Sequence, residues 1–227
     1  MFQGSPLLCA RKMVYSEIIN ILEKRSALIR DSHIVYTSGR HGCAYVNKDA
    51  IYPDTHAVSS LCRILASHFT GLQPTVVAAP AIGGVILAQW LAHHLSEGMR
   101  STVLAVYAEK NLNEGFDFRR GYDKIIEGAR VLIAEDILTT GGSVSAVVRA
   151  VRSCGGEVVG VGALCNRGAV TAAHIGFPPE LYSLIEIPLE SWTAEECPLC
   201  AQGVPINTEV GKGRDFIAQR LNGNSGY

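Results

Sequence analysis

From Thr75 to Ile187 the chain alternates short β-branched apolar runs with stripes of helical period, and few folds accommodate that alternation. The expected strands are Thr75 to Ala79, Thr102 to Ala108, Arg130 to Asp136, Val158 to Cys165 and Leu181 to Ile187. Between them, Gly84 to Leu95 is expected to be helical. A second helix, capped by Ser143, carries Val144, Val147, Val148 and Val151 and stops at Gly155-Gly156. Strands separated by helices of about ten residues make βαβ units, hence a parallel sheet buried on both faces. The expected fold class is α/β, with a central, mostly parallel sheet flanked by helices. Upstream, Val14, Ile18, Ile21, Leu22 and Leu28 predict another helix, and Tyr36 to Val46 reads as extended around Ser38-Gly39-Arg40. Asp54 is the expected N-cap of a helix whose stripe is Val58, Leu61, Leu65 and Phe69. At 227 residues, 48% apolar and 18% charged, with no repeat or linker, residues 1–227 read as a single domain.

The charges exclude some partners. Twenty basic against 21 acidic residues leave −1, so no field is available to attract nucleic acid or an anionic membrane surface. The apolar stretch from Val76 to Leu91 is broken by Pro80, Gly83-Gly84 and Gln89, and so is not expected to span a membrane. With no secretory pattern at the N-terminus, the cytoplasm is the expected location. Seven cysteines, an odd number in apolar contexts, do not form a secreted disulfide framework. Cys197-Pro-Leu-Cys200 stands apart, as a structural loop, a partial or dimer-shared metal site, or a redox pair. A structural zinc needs four ligands. No second such pair exists and none of the seven histidines sits at metal spacing from it, so no histidine is given a metal or general-base role.

In parallel sheets ligands bind beyond the carboxyl ends of the strands, which directs attention to the loops 80–84, 109–121 and 136–142. Val131 to Ser143 is the most informative segment. A buried strand delivers Glu135-Asp136, and Thr139-Thr140-Gly141-Gly142-Ser143 then turns into a helix. Small residues let backbone N–H groups converge on a phosphate at a helix N-terminus, with hydroxyls donating further bonds. Two carboxylates facing that phosphate would repel it. Facing a ribose diol they would accept from its hydroxyls, so the segment suits a ribose 5-phosphate as a unit. The plain alternative is a strand end with ordinary turn residues.

The segment Val131 to Ser143 resembles the phosphoribosyl pyrophosphate signature of type I phosphoribosyltransferases. Over roughly residues 14–212 the chain is similar to the orotate branch of that family. Ala79-Pro80-Ala81-Ile82-Gly83-Gly84 resembles the family's pyrophosphate-binding turn. Ala108-Glu109-Lys110 through Arg119-Arg120-Gly121 resembles its mobile catalytic loop, in a subgroup that also carries a late Cys-Pro-x-Cys. Ser38-Gly39-Arg40 with Tyr45 and Asn47 resembles its substrate segment, although Thr37 stands where the familiar orotate enzymes have lysine.

The resemblance implies a sheet domain with a small hood formed by the N- and C-terminal segments. It implies that Ala81, Ile82, Gly83, Gly84, Glu135, Asp136, Thr139, Thr140, Gly141, Gly142 and Ser143 bind phosphoribosyl pyrophosphate. Lys110, Arg119, Arg120 and Asp136 would be catalytic, and Tyr45, Asn47 and Arg167 would contact the base. Mg²⁺ would ride on the substrate rather than on protein side chains alone, and the enzyme would be a homodimer. Three functions follow: transfer to orotate in pyrimidine synthesis, transfer to another base, or a regulator that senses phosphoribosyl pyrophosphate. A regulator of nucleic acid calls for a basic patch, which the net charge of −1 argues against.

Overall fold

The computed structural model describes residues 6–36, 38–112, 115–187 and 190–223, with side chains over 14–220. Thr37 lies outside the described residues. In chain order the helices are α1 (Pro6–Lys24), α2 (Thr55–Phe69), α3 (Val85–Met99), α4 (Tyr122–Ile126), α5 (Gly142–Ser153), α6 (Pro198–Ala201) and α7 (Gly213–Gly223). The strands are β1 (Leu28–Ile29), β2 (Ile34–Val35), β3 (His41–Gly42), β4 (Tyr45–Val46), β5 (Val76–Pro80), β6 (Leu104–Lys110), β7 (Phe116–Asp117), β8 (Arg130–Leu138), β9 (Glu157–Asn166), β10 (Leu181–Glu186) and β11 (Ser191–Trp192). Two compact units result: Met1–Ile18 with Tyr52–Pro188, and Ile19–Ile51 with Leu189–Tyr227.

The first unit holds a six-stranded sheet in the order β10-β9-β8-β5-β6-β7. Its strands pair in parallel except β7, which returns antiparallel along β6. Side chains alternate across the sheet. Val131 and Ile133 of β8 join Val144, Val147, Val148 and Val151 of α5 in one core, while on the other face Leu132 and Phe69 of α2 crowd the same point of β9 at Gly160. Cover on both faces explains why these strands read as unbroken apolar runs. Val58, Leu61, Leu65 and Phe69 are all buried, and Asp54 caps α2 by accepting from the Ala57 N–H at 3.0 Å.

The structure corrects one capping assignment. Gly141, not Ser143, is the N-cap of α5: its φ of +78° is the left-handed turn that lets the chain enter the helix, and Ser143 falls inside the first turn. α1 also begins earlier than the apolar stripe indicated, at Pro6. Among the described residues no helix is long and apolar enough to cross a membrane.

The second unit is built from the N- and C-terminal segments. The stretch expected to be extended is divided into short pieces. β1 pairs antiparallel with β4, and β3 is sandwiched between β2 and β11. This unit overturns the expectation that no histidine meets the late cysteine pair. His33, His41, Cys197 and Cys200 converge, their ligand atoms all within 4.8 Å of one another. Sequence spacing could not show this, because the pairing of β3 with β11 joins segments about 150 residues apart.

Candidate functional site

The candidate site lies in the first unit, where β5, β8 and β9 deliver their carboxyl ends. β8 runs through the acidic pair, leaving Glu135 and Asp136 each only 7% exposed. Burying two carboxylates requires donors. Glu135 Oε1 accepts from the Asp136 N–H at 3.0 Å, and Asp136 Oδ1 accepts from the Ile137 N–H at 2.6 Å. Asp136 is the one turned to the 81–84 segment, where a Cβ on Gly83 would collide with its Oδ2. Only glycine admits that approach.

Tyr52, absent from the residues expected in the site, ties these two segments together. Its hydroxyl donates to the Gly83 carbonyl at 2.7 Å and lies 3.4 Å from Asp136 Oδ2. Burial, reinforced by the Asp136 charge and hydrogen bond, raises the phenol far above its ordinary range, so it remains a donor at every physiological pH. No motif marks such a tyrosine, since it sits 31 residues before one partner and 84 before the other. We expect Tyr52→Phe to weaken binding of a phosphorylated sugar by about 0.5–1.5 kcal/mol, the net worth of one hydrogen bond. Titration calorimetry checks this, and equal affinity for the two proteins would deny Tyr52 a positioning role.

The turn after β8 leaves Thr139, Thr140, Gly142 and Ser143 exposed and Gly141 buried. The Gly142 N–H donates to the Thr140 hydroxyl oxygen at 3.3 Å. The other N–H groups opening α5 have no intrahelical acceptor, and they add the positive end of a helix dipole. Opposite, Ala81 and Ile82 are joined by a cis peptide bond, and Ile82 is 87% exposed. Gly84 is packed against Ala79 and the Ala134 carbonyl. The structure thus brings the 81–84 turn and the acidic pair into one place, with the 139–143 turn continuing from the same strand.

The cations are distributed differently from the simplest expectation. Arg167 follows β9, and its Nε donates to Thr139 Oγ1 at 2.9 Å, which sets a guanidinium on the 139–143 turn. Arg119 and Arg120 lie on the segment that joins β7 to α4. Arg120 bonds Glu109 at 2.9 Å, and Arg119 stands 3.7 Å from both Glu109 and Asp117. These exposed pairs are weak ties, screened by solvent. Lys110 is exposed at the end of β6. In the second unit, Tyr45 pairs with Ile29 in the β1–β4 ladder, the Asn47 N–H donates to the Ala27 carbonyl at 2.7 Å, and Arg40 bonds Ser191.

The chain is similar to known proteins in sequence and in fold. The family model described as "Phosphoribosyl transferase domain" matches residues 49–189. The orotate phosphoribosyltransferase of Caldanaerobacter subterraneus subsp. tengcongensis is 37% identical over 86% of this chain and 96% of its own length. That of Pelotomaculum thermopropionicum is 37% identical over 85% of this chain and 95% of its own. Among solved structures, the Mycobacterium tuberculosis orotate phosphoribosyltransferase in complex with inorganic phosphate superimposes with a TM-score of 0.60. It is 23% identical and covers 77% of this chain and 96% of that one, a likeness of fold.

Proposed function

The chain belongs to the phosphoribosyl transferase domain family, and on that premise we propose that it transfers the phosphoribosyl group of phosphoribosyl pyrophosphate to orotate. The products are orotidine 5-phosphate and pyrophosphate, a step of pyrimidine synthesis. The observation that carries this reading is the junction at Asp136, where Tyr52 and Gly83 hold a buried carboxylate against the 81–84 turn, one strand end before a phosphate-type loop. Thr139 to Ser143 hold the 5-phosphate, Asp136 and Glu135 accept from the ribose diol, and the turn Ala81 to Gly84 lines the pyrophosphate through the N–H groups of Ile82 and Gly83, those of Ala81 and Gly84 donating to the Ala108 and Pro80 carbonyls.

The reaction breaks the bond from C1 to the pyrophosphate oxygen and forms one from C1 to a nitrogen of the base, through a positively charged sugar. No covalent nucleophile is required. This chain contributes alignment of base, sugar and leaving group, and cations to meet the departing charge. The donors around the site are hard oxygens, carboxylate and hydroxyl, which suit Mg²⁺ bound mainly through substrate and water. When bound, that ion neutralises part of the pyrophosphate charge. Lys110, Arg119 and Arg120 supply the remainder as their loop covers the leaving group, the two arginines exchanging the weak pairs with Glu109 and Asp117 for phosphate oxygens. The family resemblance gives Tyr45, Asn47 and Arg167 to the base, while the Arg167 bond to Thr139 favours the 139–143 turn for that guanidinium. Residues 1–227 act as one catalytic domain in the cytoplasm, and the family resemblance suggests a homodimer.

Arg119→Ala and Arg120→Ala are each expected to lower kcat about tenfold while barely changing the melting temperature, because a tenfold loss corresponds to about 1.4 kcal/mol of transition-state stabilisation and the ion pairs removed are exposed. Unchanged turnover in both variants would remove the loop from catalysis. The reading as a whole is tested by measuring pyrophosphate release with Mg²⁺, phosphoribosyl pyrophosphate and a panel of free bases. Orotate-dependent release is expected. Release with a different base alone refutes orotate as acceptor, and tight binding without release for any base refutes the enzyme.

A further inference from the structure

The late cysteine pair takes no part in the chemistry above, yet it is placed with some care. Cys197 is 1% exposed and begins the short helix α6, and Cys200 lies one turn on. Facing them are His33, 1% exposed and just before β2, and His41, fully buried on β3. The Cys197 Sγ and Cys200 Sγ atoms each lie 3.6 Å from His33 Nε2, and Cys200 Sγ lies 3.4 Å from His41 Nδ1. A tetrahedral zinc with Zn–N of about 2.05 Å and Zn–S of about 2.3 Å has N···S edges of about 3.55 Å. The three measured edges match that value. The remaining measured edge, His33 Nε2 to His41 Nδ1, is 2.9 Å, and an ion would widen it to about 3.3 Å.

The ligand atoms are also prepared. His33 Nδ1 lies 2.8 Å from the Val204 carbonyl oxygen, which can only accept, so Nδ1 carries the proton and Nε2 presents its lone pair to the cluster. Two thiolates offset the charge of a divalent ion, so a neutral unit is buried rather than a charge. Sulfur and imidazole in equal number with tetrahedral edges select zinc over the oxygen-seeking cations. From this geometry we infer that His33, His41, Cys197 and Cys200 form a closed structural zinc site within the second unit. It fastens α6 to β2 and β3 across about 160 residues of chain. With four protein ligands it leaves no open position for substrate, so its role is to hold the unit together.

The test uses the full chain, purified without chelator. Elemental analysis is expected to find one zinc per chain, and X-ray absorption to find two sulfur and two nitrogen neighbours. After exchange, cobalt(II) should show the intense visible bands of a tetrahedral site with thiolate charge transfer in the near ultraviolet. Cys197→Ser with Cys200→Ser should abolish both signals, while Cys154→Ser, outside the cluster, should retain them. Removal of zinc should lower the melting temperature by several degrees, and zinc should restore it. Should the double variant fail to fold, the metal content and absorption spectrum of the parent still decide the matter. Parent protein that carries no metal and takes up neither zinc nor cobalt overturns the inference. So does a Cys197–Cys200 disulfide in the native protein, or metal retained by a folded double variant.

Discussion

Asp136→Asn is expected to weaken binding of phosphoribosyl pyrophosphate by about 1–3 kcal/mol, roughly 5- to 150-fold, because a charged acceptor for the ribose hydroxyls is replaced by a neutral amide. The change is nearly isosteric, which separates binding from folding. The Ile137 N–H at 2.6 Å demands an acceptor, so the asparagine oxygen takes the place of Oδ1 and its NH₂ falls where Oδ2 stands. That position is the one beside Gly83 and Tyr52. The tyrosine hydroxyl, already donating to the Gly83 carbonyl, can accept from the new amide, so the local fold is kept while the sugar loses its partner. Isothermal titration with phosphoribosyl pyrophosphate, alongside a thermal melt, reads the two effects separately. Parent affinity in a folded variant would take Asp136 out of the site.

Gly141→Ala should act mainly through the fold. At φ +78° an alanine is strained, and its Cβ would lie 2.6 Å from Ile175 Cγ2 and 3.0 Å from Val170 Cγ1, both buried. Backbone strain and overpacking each cost about 1–3 kcal/mol, and because one shift of the turn relieves part of both, a loss of about 2–4 kcal/mol is expected. For a chain of this size that lowers the melting temperature by roughly 5–15 °C. Because the same residue opens α5, phosphate affinity should fall with it. Gly142→Ala is the control: its nearest contact, Thr140 Oγ1 at 3.5 Å, is ordinary, so it should melt close to the parent. A Gly141→Ala protein with the parent's melting temperature would contradict the capping role assigned to this glycine.

Much of this molecule is legible one segment at a time. The strand that ends at Glu135-Asp136, the small-residue turn and the helix after it were readable because each depends on neighbours within a few residues. The Asp54 cap and the buried stripe on α2 were readable for the same reason. Ser143 misled as a cap, since a hydroxyl next to two glycines suits a cap chemically, and only the positive φ at Gly141 shows where the helix begins. Arg119 and Arg120 were visible as cations, but their acids became evident only when β6 and β7 paired. Arg167 was placed after its strand correctly, while its bond to Thr139 depends on β8 and β9 lying side by side.

By itself, then, the sequence determined the α/β class, the alternation of the five parallel strands with α2, α3 and α5, and the turn where a phosphate can sit. Those features arise from local sterics, from the period of apolar residues and from backbone N–H groups within a single turn. Tertiary structure alone decided that Tyr52 bridges Gly83 and Asp136, and that two histidines of the N-terminal segment face two cysteines of the C-terminal one. Such meetings depend on which strands become neighbours. That choice is made by burial summed over the whole chain, and no short segment carries it.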